Sequence, residues 1–213
     1  MTASTSPILL IGAGGHAVSC IDVIEQEGRF RIEGLVGREA EIGGQVGSYT
    51  VVGADAVLAE FRPLVSHALV VVGQVKNPDV RIALYKRLLA LEYRLPVIAS
   101  PHAYQSRRAT LGSGTIAMHG SIVNAEARIG VNCIINSRAL IEHGASIGDH
   151  CHVSTAAVVN GDAKIGNGTF VGSGAVIREG VRVGCRCVIG MGVLVKHDLP
   201  DGSILVGNTG HGA

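Results

Sequence analysis

Glu142, His143, His150 and His152 crowd into residues 134–153, IINSRALIEHGASIGDHCHV. These residue types fit two chemistries. His150 and His152 form an H-x-H with His143 shortly before them, and imidazoles so spaced can hold zinc. Glu142 beside His143 offers a carboxylate that orients an imidazole or raises its pKa. An imidazole near its usual pKa of about 6.5 removes protons at neutral pH, which is worth about 10²–10⁴ in rate. The third reading is plain surface polarity.

A second constellation lies near the N-terminus, where ILLI runs into Gly12-Ala-Gly-Gly-His-Ala17. This fits the G-x-G-x-x-G/A dinucleotide fingerprint, in which bare glycines let a phosphate reach a helix N-terminus. The acidic residue expected after the second strand is missing, since Val36 is followed by Gly37 and Arg38. NAD is therefore not expected.

The elements that must hold these residues follow from the spacing of apolar side chains. The first hundred residues alternate buried-strand and helix patterns: strands at 8–11, 30–36 and 68–73, helices at 18–26 and about 80–91. That is a βαβ arrangement with a parallel sheet. From residue 109 the period changes. Every sixth residue from Leu111 to Val195 is hydrophobic, fifteen in succession. Chance gives such a run on the order of 10⁻⁴ of the time at this composition. Two residues before each stands a side chain that is nearly always small, from Ala109 to Val193. Leu111-Gly, Ile129-Gly, Ile147-Gly, Ile165-Gly and Val183-Gly recur every 18 residues. Three hexapeptides make one triangular coil, so this half is a parallel β-helix of about five coils.

The coil gives the opening residues neighbours. Residues 18 apart stack roughly 4.8 Å from each other. His143 then lies between Ala125 and Gly161, with Glu179 and His197 further up the column. Gly161 could bring a bare backbone N–H to a developing oxyanion. Alternation points Asn136, Glu142 and His152 outward and places His150 and His152 on one outward face. Cys133, Cys151 and Cys187 fall on small inward positions and read as packing, as does Cys20 on the first helix. His67, His102, His119 and His211 have no partner by spacing. Arg178, Arg182 and Arg186 read as a solvated face.

Bulk properties bound the rest. The 213 residues are 47% hydrophobic and 16% charged, with net charge +1. That suits a folded chain and gives no electrostatic case for nucleic acid or an acidic membrane. Thirty glycines with three Phe, four Tyr and no Trp suit a narrow repetitive interior. No stretch approaches a transmembrane span. Five cysteines without framework spacing, and an N-terminal apolar run too short for a signal, point to the cytoplasm.

The ordered motifs complete the picture: GAGGHA at 12–17, NAEARIGVNCIINSRALIEHGASIGDHCHVS at 124–154, NGDAKIGNGTFVGSGAVI at 160–177 and DLPDGSILVGN at 198–208. Together they resemble the bacterial nucleotide-sugar acetyltransferases, the sialic-acid O-acetyltransferase/sugar N-acetyltransferase group, over nearly the whole chain. The resemblance implies an N-terminal Rossmann-like nucleotide-sugar-binding domain at 1–100 and a left-handed β-helix acetyltransferase domain at 101–213. It implies an acetyl-CoA-dependent N-acetyltransferase acting on the 4-amino group of a nucleotide-linked 4-amino-4,6-dideoxy sugar. GDP-perosamine is the first choice, and the setting is surface-polysaccharide or glycan biosynthesis. Transfer is direct, without an acyl-enzyme, a metal or NAD.

Roles carry over by position. His143 matches the base, Glu142 its orienting carboxylate and Gly161 the donor to the thioester oxygen. Asn136 and His152 match the lining of the sugar and acetyl pocket. His16 matches the motif histidine near the substrate amine. Gly12, Gly14, Gly15 and Arg38 fall in the nucleotide-sugar site. His152, Gly161, Gly172, Gly190 and Lys196 fall along coenzyme A. The family forms homotrimers with active sites between subunits. Two departures stand out. Gly37-Arg38 replaces an Asp pair common in uridine-nucleotide relatives, and the chain ends GNTGHGA rather than with a GNPA-type tail. Three rivals remain open: a sialic-acid-type O-acetyltransferase, a non-catalytic sugar-nucleotide-binding trimer and a zinc-dependent hydratase.

Overall fold

The computed structural model describes residues 5–207. The chain opens with β1 (Ser6–Ile11), α1 (Gly15–Glu27) and β2 (Phe30–Val36). A hairpin of β3 (Gln45–Val46) and β4 (Tyr49–Gly53) follows, then α2 (Leu58–Phe61), β5 (His67–Val70) and α3 (Asp79–Ala90). The sheet order is β3-β4-β2-β1-β5, parallel except for the β3–β4 pair. Both long helices fall where the period puts them. Helix α1 buries Ala17, Cys20, Ile21, Val23 and Ile24, a stripe at helical spacing, and ends at Gly28 in the left-handed region.

Two features differ from the sequence reading. The hairpin was not expected, because β3 is only two residues long and its turn is the glycine-started pair Gly47-Ser48. The strand expected at 68–73 ends at Val70. Val71 still donates to Ile11 of β1; the chain then leaves the sheet, and Gln74 reaches the second half.

That half is a left-handed parallel β-helix of two-residue strands. Strands pair in parallel with those 18 residues away, as in Ile122↔Leu140 and Ile134↔His152, except at the top, where Val188 pairs with Ile204. Its three faces carry seven, six and five strands. It begins earlier than the strict hydrophobic period, with Ile98–Ala99 pairing to Ile116–Ala117. The next strand, Tyr104–Gln105, puts exposed Gln105 where an aliphatic would recur, which hides this coil from the period. Beyond Leu111, every inward aliphatic from Ala117 to Val195 is buried, and Cys133, Cys151 and Cys187 are buried among them.

The 18-residue glycine rhythm has a steric cause. A Cβ on Gly112 would stand 2.6 Å from the Gly130 carbonyl carbon, and one on Gly166 would stand 2.5 Å from the Cys185 nitrogen. Successive coils approach too closely at that corner for any side chain.

The outward residues differ by face. The first face carries Ile98, Ile116, Ile134 and His152, all buried under the N-terminal half. Ile98, Ile116 and Ile134 share one core with α1 and the sheet. The second face presents apolar residues, from Tyr104 and Ile122 to Leu194. The third presents Thr110, Arg128, Ser146, Lys164 and Arg182 to solvent. Among the described residues no helix is long and apolar enough to cross a membrane.

Candidate active site

Gly12 leaves β1 with φ of +124°, and a Cβ there would meet the Val72 backbone nitrogen at 2.9 Å. Only glycine turns here without pushing β1 and the chain after β5 apart. Gly14 is the N-cap of α1, with no side-chain cap; the Ala17 N–H bonds the Gly14 carbonyl at 2.9 Å, and the Gly15 and His16 N–H groups find no acceptor among the described residues. Beside this turn lies a ligand-sized cavity of about 660 Å³. The glycine turn, Gly37 to Glu39, Glu41, Ala54 to Ala56, and Val80 and Leu84 of α3 line it. Arg38 stands on its wall, tied to Glu41 through its backbone N–H at 2.8 Å and its Nε at 3.0 Å. These bonds hold the Glu41 carboxyl below the usual carboxylate range.

The second cluster sits where the chain turns from the second face to the third. His143 Nδ1 lies 3.4 Å from Glu142 Oε2, the only acceptor it meets among the described residues. Glu142 Oε2 also accepts from Asn124 Nδ2 at 2.9 Å and from the His143 N–H at 3.2 Å. Burial raises the Glu142 pKa, but these hydrogen bonds outweigh it and the net shift is downward. The far edge of the His143 ring lies over Gly161. A Cβ on Gly161 would stand 2.8 Å from Nε2, so the imidazole occupies the place of a side chain. The Gly161 N–H finds no acceptor among the described residues.

The third cluster lies in the seam between the halves. His152 Nδ1 donates to the Gln74 carbonyl at 2.5 Å, and its Nε2 accepts from Asn136 Nδ2 at 3.0 Å. The Gln74 side chain in turn donates to the His150 carbonyl at 3.1 Å. The His16 ring stands 6.4 Å from that of His152, and its Nε2 is 3.4 Å from Cys20 Sγ. Burial, then the Arg81 charge, then His152, push His16 down to about 3. Burial lowers His152 to about 4 against the opposing Gln74 bond. Both rings are neutral at ordinary pH. Arg81 is 1% exposed and donates to Val70 O, Val72 O and both oxygens of Asn132, stitching the end of the sheet to a β-helix corner.

With this geometry in view, comparisons with known proteins agree. A family model described as the PglD N-terminal domain matches residues 7–88. Two hexapeptide-repeat models, bacterial transferase and succinyl-transferase, match residues 162–197 and 126–160. A mutant perosamine N-acetyltransferase from Caulobacter crescentus, solved with CoA and GDP-perosamine, superposes with a TM-score of 0.90. It is 28% identical over 97% of this chain and 96% of that one. The acetyltransferase domain of PglB from Neisseria gonorrhoeae, solved with acetyl coenzyme A, gives 0.88 at 27% identity, over 96% and 98% of the two chains. Among curated protein sequences nothing matches.

In both halves the chain is similar to the bacterial nucleotide-sugar acetyltransferases.

The expected site residues divide among the three clusters. Gly12, Gly14 and Arg38 meet in the cavity, while Gly15 and His16 lie past its rim on α1. Glu142, His143 and Gly161 meet at one β-helix corner, with exposed Lys196 higher in the Glu142 column. Asn136 and His152 meet in the seam, with Gly172 and Gly190 stacked above Asn136 at the corner between the first and second faces.

Three sequence readings are corrected. His150 and His152 do not share an outward face. His150 sits in a turn with φ of 57° beside Tyr85, and His152 is covered to 6% exposure by the loop carrying Gln74. His119, read as unpartnered, bonds Asp22 of α1 at 2.7 Å and Ser100 at 2.6 Å. Arg186, read as solvated, pairs with Asp79 of α3 at 2.8 Å. Among the described residues no group of three His, Cys, Asp or Glu is placed to hold a metal ion. Residues 208–213, with His211 and the divergent tail, lie outside the described residues.

Asn124, Gln74, Arg81 and Glu41 were missed. Asn124 stands 18 residues before Glu142, so the coil period could have found it. The other three carry no periodic signal.

Proposed function

We propose that this acetyltransferase transfers the acetyl group of acetyl-CoA to the 4-amino group of a nucleotide-linked 4-amino-4,6-dideoxy sugar. GDP-perosamine is the first candidate, with surface-polysaccharide biosynthesis as the setting. The observation that carries the reading is the His143 corner. Nδ1–H is held by Glu142, so Nε2 keeps its lone pair beside bare Gly161. As the sugar nitrogen bonds to the acetyl carbon, His143 Nε2 takes the proton, and Glu142 stabilises the imidazolium. The unpaired Gly161 N–H faces the oxygen on which charge develops. Collapse of that adduct releases the coenzyme thiol, so transfer is direct. Gly12 and Gly14 with the start of α1 hold the diphosphate. His16, His152 and Asn136 line the path of the sugar and acetyl groups, with Gly172, Gly190 and Lys196 along the coenzyme.

The second face supports a homotrimer. Tyr104, Ile122 and Leu194 stand 58%, 39% and 53% exposed on it, in one apolar column. The His143 corner and the Asn136–Gly172–Gly190 corner flank this face on opposite sides. Packing it against a neighbour brings one subunit's base to the other subunit's glycine strip, so each site needs two chains.

Thiol release from acetyl-CoA tests the reading, with GDP-perosamine, UDP- and dTDP-linked 4-amino sugars and free sialic acid as acceptors. We expect turnover with a 4-amino nucleotide sugar, lowered about 10²–10⁴-fold in His143→Asn. Turnover with sialic acid alone makes the chain an O-acetyltransferase. Nucleotide-sugar binding without thiol release makes it a binding protein.

A further inference from the structure

The cavity runs from the glycine turn across the end of β2, where Gly37-Arg38 stands in place of an acidic residue. In nucleotide-binding sheets of this type, a carboxylate at the end of the second strand takes the ribose hydroxyls. A carboxylate is nevertheless present. A Cβ on Gly37 would meet Glu41 Oε2 at 2.8 Å, so the Glu41 carboxylate lies where a side chain on residue 37 would begin. The three-residue turn Glu39–Glu41 folds it back. Arg38 then fixes it, its N–H donating to Oε2 and its Nε to Oε1. Glu41 lines the cavity, and its side chain is 25% exposed, so its oxygens retain acceptor capacity toward a ligand.

The direction of the ligand follows from the rest of the molecule. A diphosphate on the glycine turn and the N-terminus of α1 divides the cavity. The sugar must extend toward His16 and the β-helix, where the chemistry lies. The nucleoside therefore extends the other way, across Gly37, Glu41 and Ala54 to Ala56. We infer that Glu41 replaces the acidic residue β2 lacks and accepts the ribose 2′-hydroxyl. The substrate is then a ribonucleoside diphosphate sugar rather than a deoxyribonucleoside one. This rests on the nucleotide-sugar reading above and narrows it, disfavouring dTDP-linked acceptors about tenfold or more.

The test is calorimetric titration of the full chain with GDP against 2′-deoxy-GDP and UDP against 2′-deoxy-UDP, so that each pair differs by one hydroxyl. For the base that binds, the ribonucleotide should bind about tenfold tighter or more, as befits a hydrogen bond to a charged group. In Glu41→Gln, which can keep the bond from the Arg38 N–H, that ratio should fall toward one while a cooperative melting transition shows that the chain stays folded. A ratio near one in the unmodified protein, or a ratio that Glu41→Gln leaves intact, overturns the assignment while the nucleotide-sugar reading stands. Binding of none of the four diphosphates sinks both.

Discussion

His143 and His152 are the same residue type nine positions apart, yet their surroundings differ sharply. The His143 side chain is 70% exposed and held on one side by a carboxylate. His152 is shut into the seam, with its proton fixed on Nδ1 by a backbone carbonyl. The seam has a consequence for pH. His16 and His152 titrate near 6.5 when unfolded. Burial lowers them to about 3 and about 4 in the fold, and His150 shifts the same way. The unfolded chain therefore binds more protons between those values. Their contribution is full above pH 6.5 and is lost as pH falls toward 4. Urea unfolding from pH 7.5 to 5 should show stability falling by ~1.4 kcal/mol per pH unit per buried histidine below 6.5. Carboxylates titrate mostly lower, so this window isolates the rings. Constant stability from pH 7 to 5 would mean that His16 and His152 are not buried neutral.

At the scale of elements, the β-helix is a stack of turns. Its corners hold left-handed residues, among them Gly144, Gly168 and Gly180, but also Asn132, His150 and Asp162. Each non-glycine there costs roughly 1–2 kcal/mol locally, recovered in the stacked ladder and the aliphatic column. Inward and outward positions should therefore respond differently. Ile141→Ala, at 0% exposure, should cost about 2–5 kcal/mol. Lys164→Ala, outward on the third face, should stay within about 0.5 kcal/mol. Denaturant midpoints would show it, and equal effects would mean that the column is not the core. The period made this element legible almost residue by residue, including the pairing of His143 with Gly161. It failed at the two ends: Gln105 breaks it below, and above Val195 the last strand, Ile204–Leu205, pairs 16 residues back with Val188–Ile189. In the N-terminal half the long helices were legible, while the short hairpin beside them was not. Two-residue strands with a glycine turn are too short for alternation to register.

The whole molecule places its two clusters in different parts of one chain. The glycine-turn cavity lies in the first half, and the Glu142–His143 pair lies at a corner of the second. The N-terminal half covers the first face, and solvent meets the third. The second face is apolar and uncovered within one chain. Leu140→Asp and Val158→Asp put charges into the middle of that column. Sedimentation should then shift from trimer to monomer, with thiol release lost and the single-chain fold kept. A variant that stays trimeric, or a monomer that keeps full turnover, would remove the case for shared sites.

The spacing of side chains along the chain was enough to define the β-helix and, through it, the neighbours of His143. The 18-residue register is imposed by backbone stacking, so position in the sequence translates directly into position in space. It also defined the glycine turn, because φ of +124° against the Val72 backbone admits no other residue at position 12. Only the tertiary structure decided the rest. His152 is buried because a loop from 78 residues earlier lies over it. His119 and Arg186 acquire partners on α1 and α3. Glu41 supplies a carboxylate that the end of β2 lacks because a short turn brings it back over Gly37. These contacts arise where elements with unrelated periods pack together. No repeat relates the two sides, so no spacing could announce them.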